Sequence, residues 1–576
     1  MTAAVMTAKP IDKPAALASA LSAVRMALPI YVWLALLVLL PNVLLIAVSF
    51  LKSSSGVVQF EATFGNFARL AQSKAFWWLL FKTLATAAVA SGLATLFAFP
   101  TAYYASRKLR RGRLIALFLV VIPLWISLLM RVFSWKIILG ENGILNSALV
   151  YLGILSEPST AFLYTPFSVL LAFTYVCFPF VFVTTYSALE RIPGNLIEAA
   201  EDAGANPWRT FWYVVWPLAR PGAAIGFMLA FLLCIGDYIT PAMVGGLDGT
   251  MLGMVIASQF GLAGNWPYGA SLALVLMLFV STILVLIVYA TRTPGVLVGE
   301  DSGALPPSGK ALTGAAVLRQ WIAFAAFLVP YVFLYLPLIL IVTFSFNDSS
   351  LQAFPLSGFT LKWYSAAFAN PSMQAALLRS LTVGVLVLLV SVTAGTLFAI
   401  VLAYGKVKGV QAIELLLAVP VAIPGVVLGL TMVLACQMLG IPVGLPRVVA
   451  GHSSFVMPVV MMIVLARLRR LDPSLLEAAM DCGATKVRAF FHVLFPLIRG
   501  SVIGGALLGF TLSVDEVVIT LFLTGAEPTL PVWVWNQMRF GFTPAVNAIF
   551  SIIGAVTLVV VVLAQRLVVS KANQSN

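Results

Sequence analysis

Twelve runs of apolar residues divide this sequence, and most are long enough to cross a membrane as a helix. The hydrocarbon core of a bilayer is about 30 Å thick, which about 20 helical residues span. The chain is 61% hydrophobic over 576 residues with a mean hydropathy of +1.04, too apolar for a soluble domain. The runs lie near 29–51, 77–105, 114–139, 167–188, 221–237, 269–291, 320–346, 379–404, 411–439, 453–466, 501–514 and 548–565.

Helices are the expected form of these runs because backbone polar groups in lipid must be satisfied within the segment. A barrel would need alternating strands, which the sequence lacks. The runs at 453–466 and 501–514 are short and need flanking residues to span. We therefore expect an all-α polytopic membrane protein with twelve transmembrane helices.

The basic residues indicate the orientation of these helices. They concentrate in the segments that a cytoplasmic amino terminus would place inside, and one short loop holds Arg107, Lys108, Arg110, Arg111 and Arg113. The positive-inside rule then predicts that both termini are cytoplasmic in a bacterial inner membrane. Topology and contact with anionic membrane lipid account for the net charge of +14, and no nucleic-acid partner is expected. The first run predicts an uncleaved anchor rather than a removed signal peptide.

Two near-copies of one short segment show that the chain is duplicated. Residues 198–205 read EAAEDAGA and residues 477–484 read EAAMDCGA, and a proline follows each glycine by the same interval, at Pro217 and Pro496. Each copy lies in the fourth-to-fifth connection of a six-span half. The predicted parts are a first half at 1–291, a Gly/Pro/Ser-rich cytoplasmic linker at 292–319 and a second half at 320–576, with the duplicated loops at 190–220 and 467–500.

Both segments predict a short amphipathic helix that ends at a glycine. One stripe would carry Leu196, Ala200 and Ala203, or Leu475, Ala479 and Cys482, while acids cover the remaining surface. A second helix would follow, with the proline where the chain turns toward the membrane. Helices that lie on a bilayer favour Lys and Arg over carboxylates, so docking to a cytoplasmic partner is preferred to an interfacial helix.

The repeated pattern resembles the signature loop of the permease subunits of binding-protein-dependent ABC importers. The resemblance implies a type I importer permease fold, two cytoplasmic ABC ATPase subunits docked on the loops, and a periplasmic substrate-binding protein. The ATPase-coupling residues it implies are Glu198, Ala199, Ala200, Gly204, Pro217, Glu477, Ala478, Ala479, Gly483 and Pro496. Val214, Trp216, Val493 and Phe495 stand where the family favours Ile and Leu, and they keep the apolar character.

Other stretches narrow the resemblance to polyamine permeases. Residues 125–147 and 236–246 look like one subunit of a spermidine/putrescine permease pair, and residues 359–368 and 514–525 look like the other. The two subunits would be fused here into one chain. Permeases for ferric ion, thiamine, aminophosphonates or opines remain alternative family members.

The sequence contains no motif with which this chain could itself bind ATP. A phosphate-binding loop needs GxxxxGK and then Ser or Thr, but the stretch from Gly303 to Lys310 has one residue too many and Ala311 at the hydroxyl position. We expect no cofactor on this chain, with ATP and magnesium bound by the partner. A secondary transporter of six plus six spans is the alternative, but no carboxylate lies near the middle of a span, and Lys82, Arg131 and Arg379 lie toward outer ends.

No catalytic or metal site is expected either. The only histidines are His452 and His492, and four dispersed cysteines have no metal-like spacing. The sequence therefore predicts a transport permease and not an enzyme.

Acids at the outer ends of the fifth and eleventh spans are the candidates for the substrate path. Asp237 corresponds by the repeat to Asp515 and Glu516, and we expect these carboxylates to face each other and favour cations. Nearby aromatic residues could stack on ammonium groups, namely Tyr238, Trp266, Tyr268, Trp533 and Trp535. The structural alternative is that acids solvate helix ends and that Trp and Tyr populate membrane interfaces.

Overall fold

The computed structural model describes residues 27–54, 57–109, 112–261, 263–291, 314–350, 352, 356–405, 407, 409–472, 474–540 and 543–572. About 80% of them are helical, and the all-α polytopic class is confirmed. A short antiparallel hairpin and one isolated bridge between Asn347 and Phe359 are the strand pairings of this part of the chain.

The described residues of the first half form thirteen helices and the hairpin. Their bounds are α1 Ala27–Ser49, β1 Leu51–Ser54, β2 Val57–Ala62, α2 Gly65–Gln72, α3 Lys74–Arg107, α4 Arg113–Val121, α5 Leu128–Leu139, α6 Ile144–Tyr151, α7 Pro166–Glu190, α8 Gly194–Asp202, α9 Pro207–Thr210, α10 Trp216–Gly236, α11 Ile239–Val244, α12 Leu252–Phe260 and α13 Trp266–Thr291. A 3₁₀ turn, Ile122–Trp125, continues α4, and a π-helical segment, Phe211–Val215, joins α9 to α10.

The described residues of the second half form twelve helices in a similar order, without a counterpart of α6 or of the hairpin among them. Their bounds are α14 Gly314–Ser345, α15 Lys362–Ala369, α16 Pro371–Tyr404, α17 Val410–Ala422, α18 Gly425–Met438, α19 Leu445–Leu468, α20 Ser474–Asp481, α21 Lys486–Ala489, α22 Phe495–Val514, α23 Val518–Leu523, α24 Leu530–Phe540 and α25 Ala545–Ala572. A second π-helical segment, Phe490–Leu494, joins α21 to α22.

The twelve predicted spans all coincide with helical segments, although not all are single straight helices. Within the described residues, nine helices are long and apolar enough to cross a membrane, and two bent pairs raise the number to eleven. The twelfth run lies on α25, whose described apolar part Ala545–Val556 is shorter. The two short predicted runs do extend into their flanks, to Leu445–Leu468 and Lys486–Val514.

The third span of each half, predicted at 114–139 and at 411–439, is broken in the structure. The first bends by 88° between Leu124 and Leu128, and the second by 102° between Val421 and Gly425. A proline stands at both breaks, where its ring removes a backbone donor from the helix. Pro123 lies in the 3₁₀ turn, and Pro424 directly precedes α18.

One compact unit of the chain comprises residues 1–44, 379–422 and 431–527. It therefore combines most of the first helix with the core of the second half. The residues Ala35–Leu39 of α1 pack against α17 and α19, and α19 packs along α22. Leu34 and Val38 are buried in this unit.

The other compact unit comprises residues 45–378, 423–430 and 528–576. Its centre is the packing of α3, α7 and α10, which together form the core of the first half. The first helix of the second half, α14, lies against α3, α4 and α5, and it also packs along α25.

Each unit thus takes the first helix of one half and the core of the other. The predicted division of the sequence at 291 and 320 separates the two repeats, and it stays a prediction. The two compact units of the structure are divided at other residues. The predicted linker lies outside the described residues up to 313, and α14 already begins within it, at Gly314.

Candidate functional site

The two duplicated segments fold in the same way. The helix α8 ends before Gly204, which has φ +83°, and α20 ends before Gly483, which has φ +82°. The left-handed conformation favours glycine, because other residues meet a steric penalty at Cβ. Backbone hydrogen bonds close both ends alike, from Ala205 N to Ala200 O at 2.9 Å and from Ala484 N to Ala479 O at 3.1 Å.

The acids and most apolar side chains of both segments face outward. Glu198 and Glu477 are exposed, as are Ala199 and Ala478, while Ala200 and Ala479 are partly buried. Leu196, Ala203, Leu475 and Cys482 of the two predicted stripes are exposed as well. In α8 the neighbouring Ile197 is the buried contact instead, because the helix is rotated relative to that stripe. An apolar side chain next to each acid is therefore available to a partner.

The proline after each segment does not turn the chain, contrary to the sequence-based expectation. The helix runs on from Pro207 to Gly236 and from Lys486 to Val514. Pro217 and Pro496 lie within its first turn after a π-helical segment, and the amide of Trp216 bonds to Phe211 O, five residues back. A wider π turn leaves room for the proline ring, which would otherwise meet the carbonyl four residues earlier.

Two of the candidate acids cap short helices. Asp237 Oδ1 accepts the amides of Ile239 at 2.7 Å and Thr240 at 3.1 Å, and Oδ2 accepts the Thr240 hydroxyl. Glu516 Oε1 accepts the amide of Ile519 at 2.9 Å. These bonds satisfy amides at the starts of α11 and α23, which have no partners within their own helices.

The environment of Asp237 acts on its protonation in two directions. Burial raises the pKa of this carboxyl, while its hydrogen bonds to Thr240 and Ile239 and the charge of Arg131 oppose that rise. The side chain keeps partial exposure. The carboxylate thus has a structural role as a cap.

The third candidate acid, Asp515, lies at the end of α22, where its amide bonds to Thr511 O at 3.1 Å, and it is partly buried. Asp237 belongs to one compact unit, and Asp515 and Glu516 belong to the other. The expected approach of these carboxylates to one another stays a prediction.

The aromatic candidates are mostly buried. Tyr238, Trp533 and Trp535 are 6%, 8% and 5% exposed, so none offers an open ring face to a cation in this conformation. Trp533 Nε1 donates to Ser372 Oγ at 3.0 Å, and the rings of Tyr238 and Trp535 meet edge to face at 6.3 Å.

Two further candidate rings have partners within the protein. The ring of Tyr268 is covered by the guanidinium of Arg69, 4.5 Å from its centroid. The ring of Trp266 lies 5.7 Å from that of Phe260.

His452 has a role that the sequence did not reveal. It is buried in α19, with Nδ1 2.9 Å from Ser513 Oγ and Nε2 2.8 Å from Thr520 Oγ1. The Thr520 hydroxyl donates to Glu516 O at 2.7 Å, so it accepts from Nε2–H, and Nδ1 accepts from Ser513. His452 therefore links α19 to both sides of the Asp515–Glu516 turn.

His492, the other histidine, is exposed on the π-helical segment of the second loop, with Nδ1 3.1 Å from Arg488 O. Among the described residues, no group of three or more His, Cys, Asp or Glu side chains is arranged to hold a metal ion.

Comparison with known proteins gives a consistent result for both halves. The family model for the binding-protein-dependent transport system inner membrane component matches residues 94–297 and 392–572. The spermidine/putrescine transport system permease protein PotB of Haemophilus influenzae is 34% identical over 256 residues, covering 44% of this chain and 89% of the relative. The putrescine transport system permease protein PotI of Escherichia coli K12 is 34% identical over 241 residues, covering 40% and 85%.

These relatives each match one half of the chain, as a fused permease requires. A solved bacterial ABC transporter involved in the import of the acidic polysaccharide alginate aligns with a TM-score of 0.39 and 19% identity, covering 46% of this chain and 94% of that one.

Proposed function

We propose that this chain forms the translocation path of an ATP-driven importer for a polyamine. The chain belongs to the family of binding-protein-dependent transport system inner membrane components. It is a multi-pass membrane protein of a bacterial inner-membrane permease family, and that family works with ATPase and substrate-binding partners. We assign ATP and magnesium to two ATPase subunits, and substrate delivery to a periplasmic binding protein. Both termini and both duplicated loops would then be cytoplasmic.

The recurrence of one docking segment carries the ATPase part of this proposal. The helices α8 and α20 share a left-handed glycine, an exposed glutamate and an exposed leucine, although they lie in separate repeats. Exposed large apolar side chains also follow each helix in the same loop, among them Trp208 at 69% and Val487 at 66% exposure. Apolar side chains beside fixed charges are what a protein partner can bury.

Charge reversal in these helices tests the docking. We expect Glu198→Lys or Glu477→Lys to uncouple ATP hydrolysis from uptake while the chain still inserts, because a reversed charge in a buried contact costs about 2–5 kcal/mol. Glu157→Lys changes an exposed acid outside both loops and serves as the control. Wild-type uptake and wild-type ATPase stimulation in the double Lys variant would refute the docking role.

The relatives and the acids together favour a polyamine as the substrate. Two matching relatives are named for putrescine or spermidine transport. Carboxylates that line a water-filled path lower the free energy of a flexible di- or trication, and unit charges at 4–8 Å contribute about 1 kcal/mol each at high effective dielectric. Ferric ion, thiamine, an aminophosphonate or an opine would be the substrate if polyamines are not carried.

Uptake in proteoliposomes that contain the cognate ATPase and binding protein tests the substrate. We expect uptake of labelled putrescine and spermidine, weakened in Asp237→Asn, Asp515→Asn and Glu516→Gln and most of all in combinations. Asp248→Asn removes an exposed carboxylate elsewhere and should leave uptake unchanged. If the wild type carries neither polyamine, the substrate assignment fails while the family assignment stands.

A further inference from the structure

The buried histidine His452 lies where three helices of the second half meet. Its own helix, α19, packs against both α22 and α23. The approach of α23 is close, since a Cβ atom on the preceding residue, Gly451, would lie 3.3 Å from Ile519 Cγ2. The histidine side chain is only 1% exposed. Burying a polar ring costs free energy unless its nitrogens are hydrogen-bonded, so its bonds indicate what it contributes.

Both ring nitrogens are bonded, and both bonds lead to the turn formed by Asp515 and Glu516. On one side, Ser513 in the last turn of α22 donates its hydroxyl to Nδ1 at 2.9 Å. On the other side, Nε2–H donates at 2.8 Å to Thr520 Oγ1 on α23, and that hydroxyl donates at 2.7 Å to Glu516 O. The bond to Glu516 O connects the backbone of the turn to α19 through two buried side chains.

The first half packs the equivalent place without a polar ring. The interval between the two duplicated segments also pairs the prolines inside α7 and α19. The same interval places Phe173 at the position equivalent to His452, and Phe173 is equally buried. It places Cys234 at the position equivalent to Ser513. Packing of these helices therefore does not require a histidine, and the polar network is particular to the second half.

The two acid turns also differ in what they are fixed to. The Asp237 carboxylate accepts the amide and the hydroxyl of Thr240, so these bonds stay within the start of its own short helix. In the second half the hydroxyl of Thr520 bonds to the Glu516 backbone and accepts a bond from His452 as well. The second turn is thus attached to a separate helix.

We propose that His452 is a positioning residue that holds the Asp515–Glu516 turn against α19. This inference rests on the proposed polyamine path, in which the two carboxylates attract the substrate. Attraction between charges depends on their separation, so a freely moving turn would present its carboxylates over a range of distances. A turn that is already fixed loses no further conformational entropy when the substrate arrives.

Hydrogen exchange tests the positioning without any substrate. In His452→Ala, the amides of residues 516–521 should exchange about fivefold faster, since one net hydrogen bond changes a local opening equilibrium by a factor of about 2–12. Thr520→Val should have the same effect, and Thr520→Ser, which keeps the hydroxyl, should exchange as the wild type. Unchanged exchange in folded His452→Ala or in Thr520→Val would overturn the proposal.

Two amide substitutions separate the bonds of the two ring nitrogens. The side-chain amide of His452→Gln reaches the place of Nε2 and can donate to Thr520, whereas that of His452→Asn reaches only the place of Nδ1. We expect wild-type exchange of the turn in the Gln variant and fast exchange in the Asn variant. Equal exchange in the two variants would contradict a role that acts through Thr520.

Uptake of labelled putrescine in proteoliposomes with the cognate ATPase and binding protein tests the consequence for transport. His452→Ala and Thr520→Val should lower the rate at least about threefold at equal amounts of inserted protein, because displacing a charge from about 4 to 8 Å halves its attraction. His452→Gln should restore the rate. Val464→Ala truncates a buried side chain on α19 about three turns away, so it controls for destabilisation and should leave the rate unchanged.

A double-mutant cycle distinguishes positioning from general destabilisation. In the Glu516→Gln background, His452→Ala should cause a smaller loss of uptake than in the wild type, because both substitutions disturb one site. Additive losses, or an equal loss in Val464→Ala, would overturn the positioning role in transport. If the wild type carries no polyamine but the exchange pattern is found, the substrate assignment fails while the fixing of the turn by His452 stands.

Discussion

Helix α10 packs so closely against α7 that one added methyl group on a glycine of α10 should destabilise the folded protein. A Cβ atom on Gly226 would lie 2.9 Å from Val181 Cα and 2.4 Å from Thr184 Oγ1. One turn earlier, a Cβ on Gly222 would lie 2.3 Å from the Cβ of Ala188. Small residues four apart let two membrane helices approach at backbone distance.

The cost of Gly226→Ala can be worked out from these distances. Carbon atoms in contact sit about 3.5–4.0 Å apart, so the new methyl requires the two helices to separate by about 1 Å. Such overpacking costs about 1–3 kcal/mol, and the better helix propensity of alanine offsets about 0.5–1 kcal/mol. We expect a net destabilisation of about 0.5–2 kcal/mol.

The repeat supplies matched controls in the second half. Gly505 stands at the position equivalent to Gly226, but a Cβ there would lie 3.4 Å from Val460 Cγ1, an ordinary contact. A Cβ on Gly504 would meet nothing within 4 Å. Gly505→Ala and Gly504→Ala should therefore be neutral or stabilising by up to about 1 kcal/mol.

Thermal unfolding of the three purified variants in detergent, followed by fluorescence-detected size exclusion, measures these effects. The expected order of midpoints places Gly226→Ala below the wild type and the two second-half variants at or above it. A Gly226→Ala protein as stable as Gly504→Ala would show that α7 and α10 are not held at the distance seen here, and the reasoning from Cβ contacts would be refuted.

Three further predictions concern the second half and the linker. The amide and hydroxyl of Ser474 lower the pKa of exposed Asp472, so its cap on α20 should be intact above about pH 4 and weaken only as the pH falls below that value; the dependence should be lost in Asp472→Asn, as deuterium uptake of α20 would show. His452→Ala should destabilise the chain by about 1–3 kcal/mol, because it leaves Ser513 and Thr520 hydroxyls buried without their partner; an unchanged unfolding midpoint would contradict this. Cutting the chain between residues 300 and 310 and co-expressing the pieces should retain uptake; assembled pieces that do not transport would show that the linker does more than connect.

The docking segments were predictable because their signals are local. Helical periodicity, a terminal glycine and a fixed interval to proline are all readable from one stretch of chain, and the structure has both helices and both left-handed glycines. The direction of the inward face was not predictable in α8, where Ile197 is buried and Leu196 is exposed. Nearly equal apolar residues at adjacent positions leave the rotation of a short helix to its tertiary contacts.

Longer-range features had weaker signals. Pro123 and Pro424 could have indicated broken third spans, since proline at such positions disfavours a continuous helix. The environment of His452 depends on residues far from it in sequence, Ser513 and Thr520. The exchange of first helices between halves had no sequence signal, because spans that are apolar on every face do not indicate which neighbour they contact.

Because the first helices are exchanged between the halves, the packing of α1 can be completed only late in synthesis. Two buried residues of α1, Leu34 and Val38, lie in a unit otherwise built from the second half, which the ribosome makes last. Until α17 and α19 are inserted, that face of α1 must remain in lipid, and its Asn42 is suited to the delay because its amide already donates to Val38 O at 2.7 Å. A chain interrupted after the first half would leave a helix in the bilayer without its neighbours, exposed to membrane quality control.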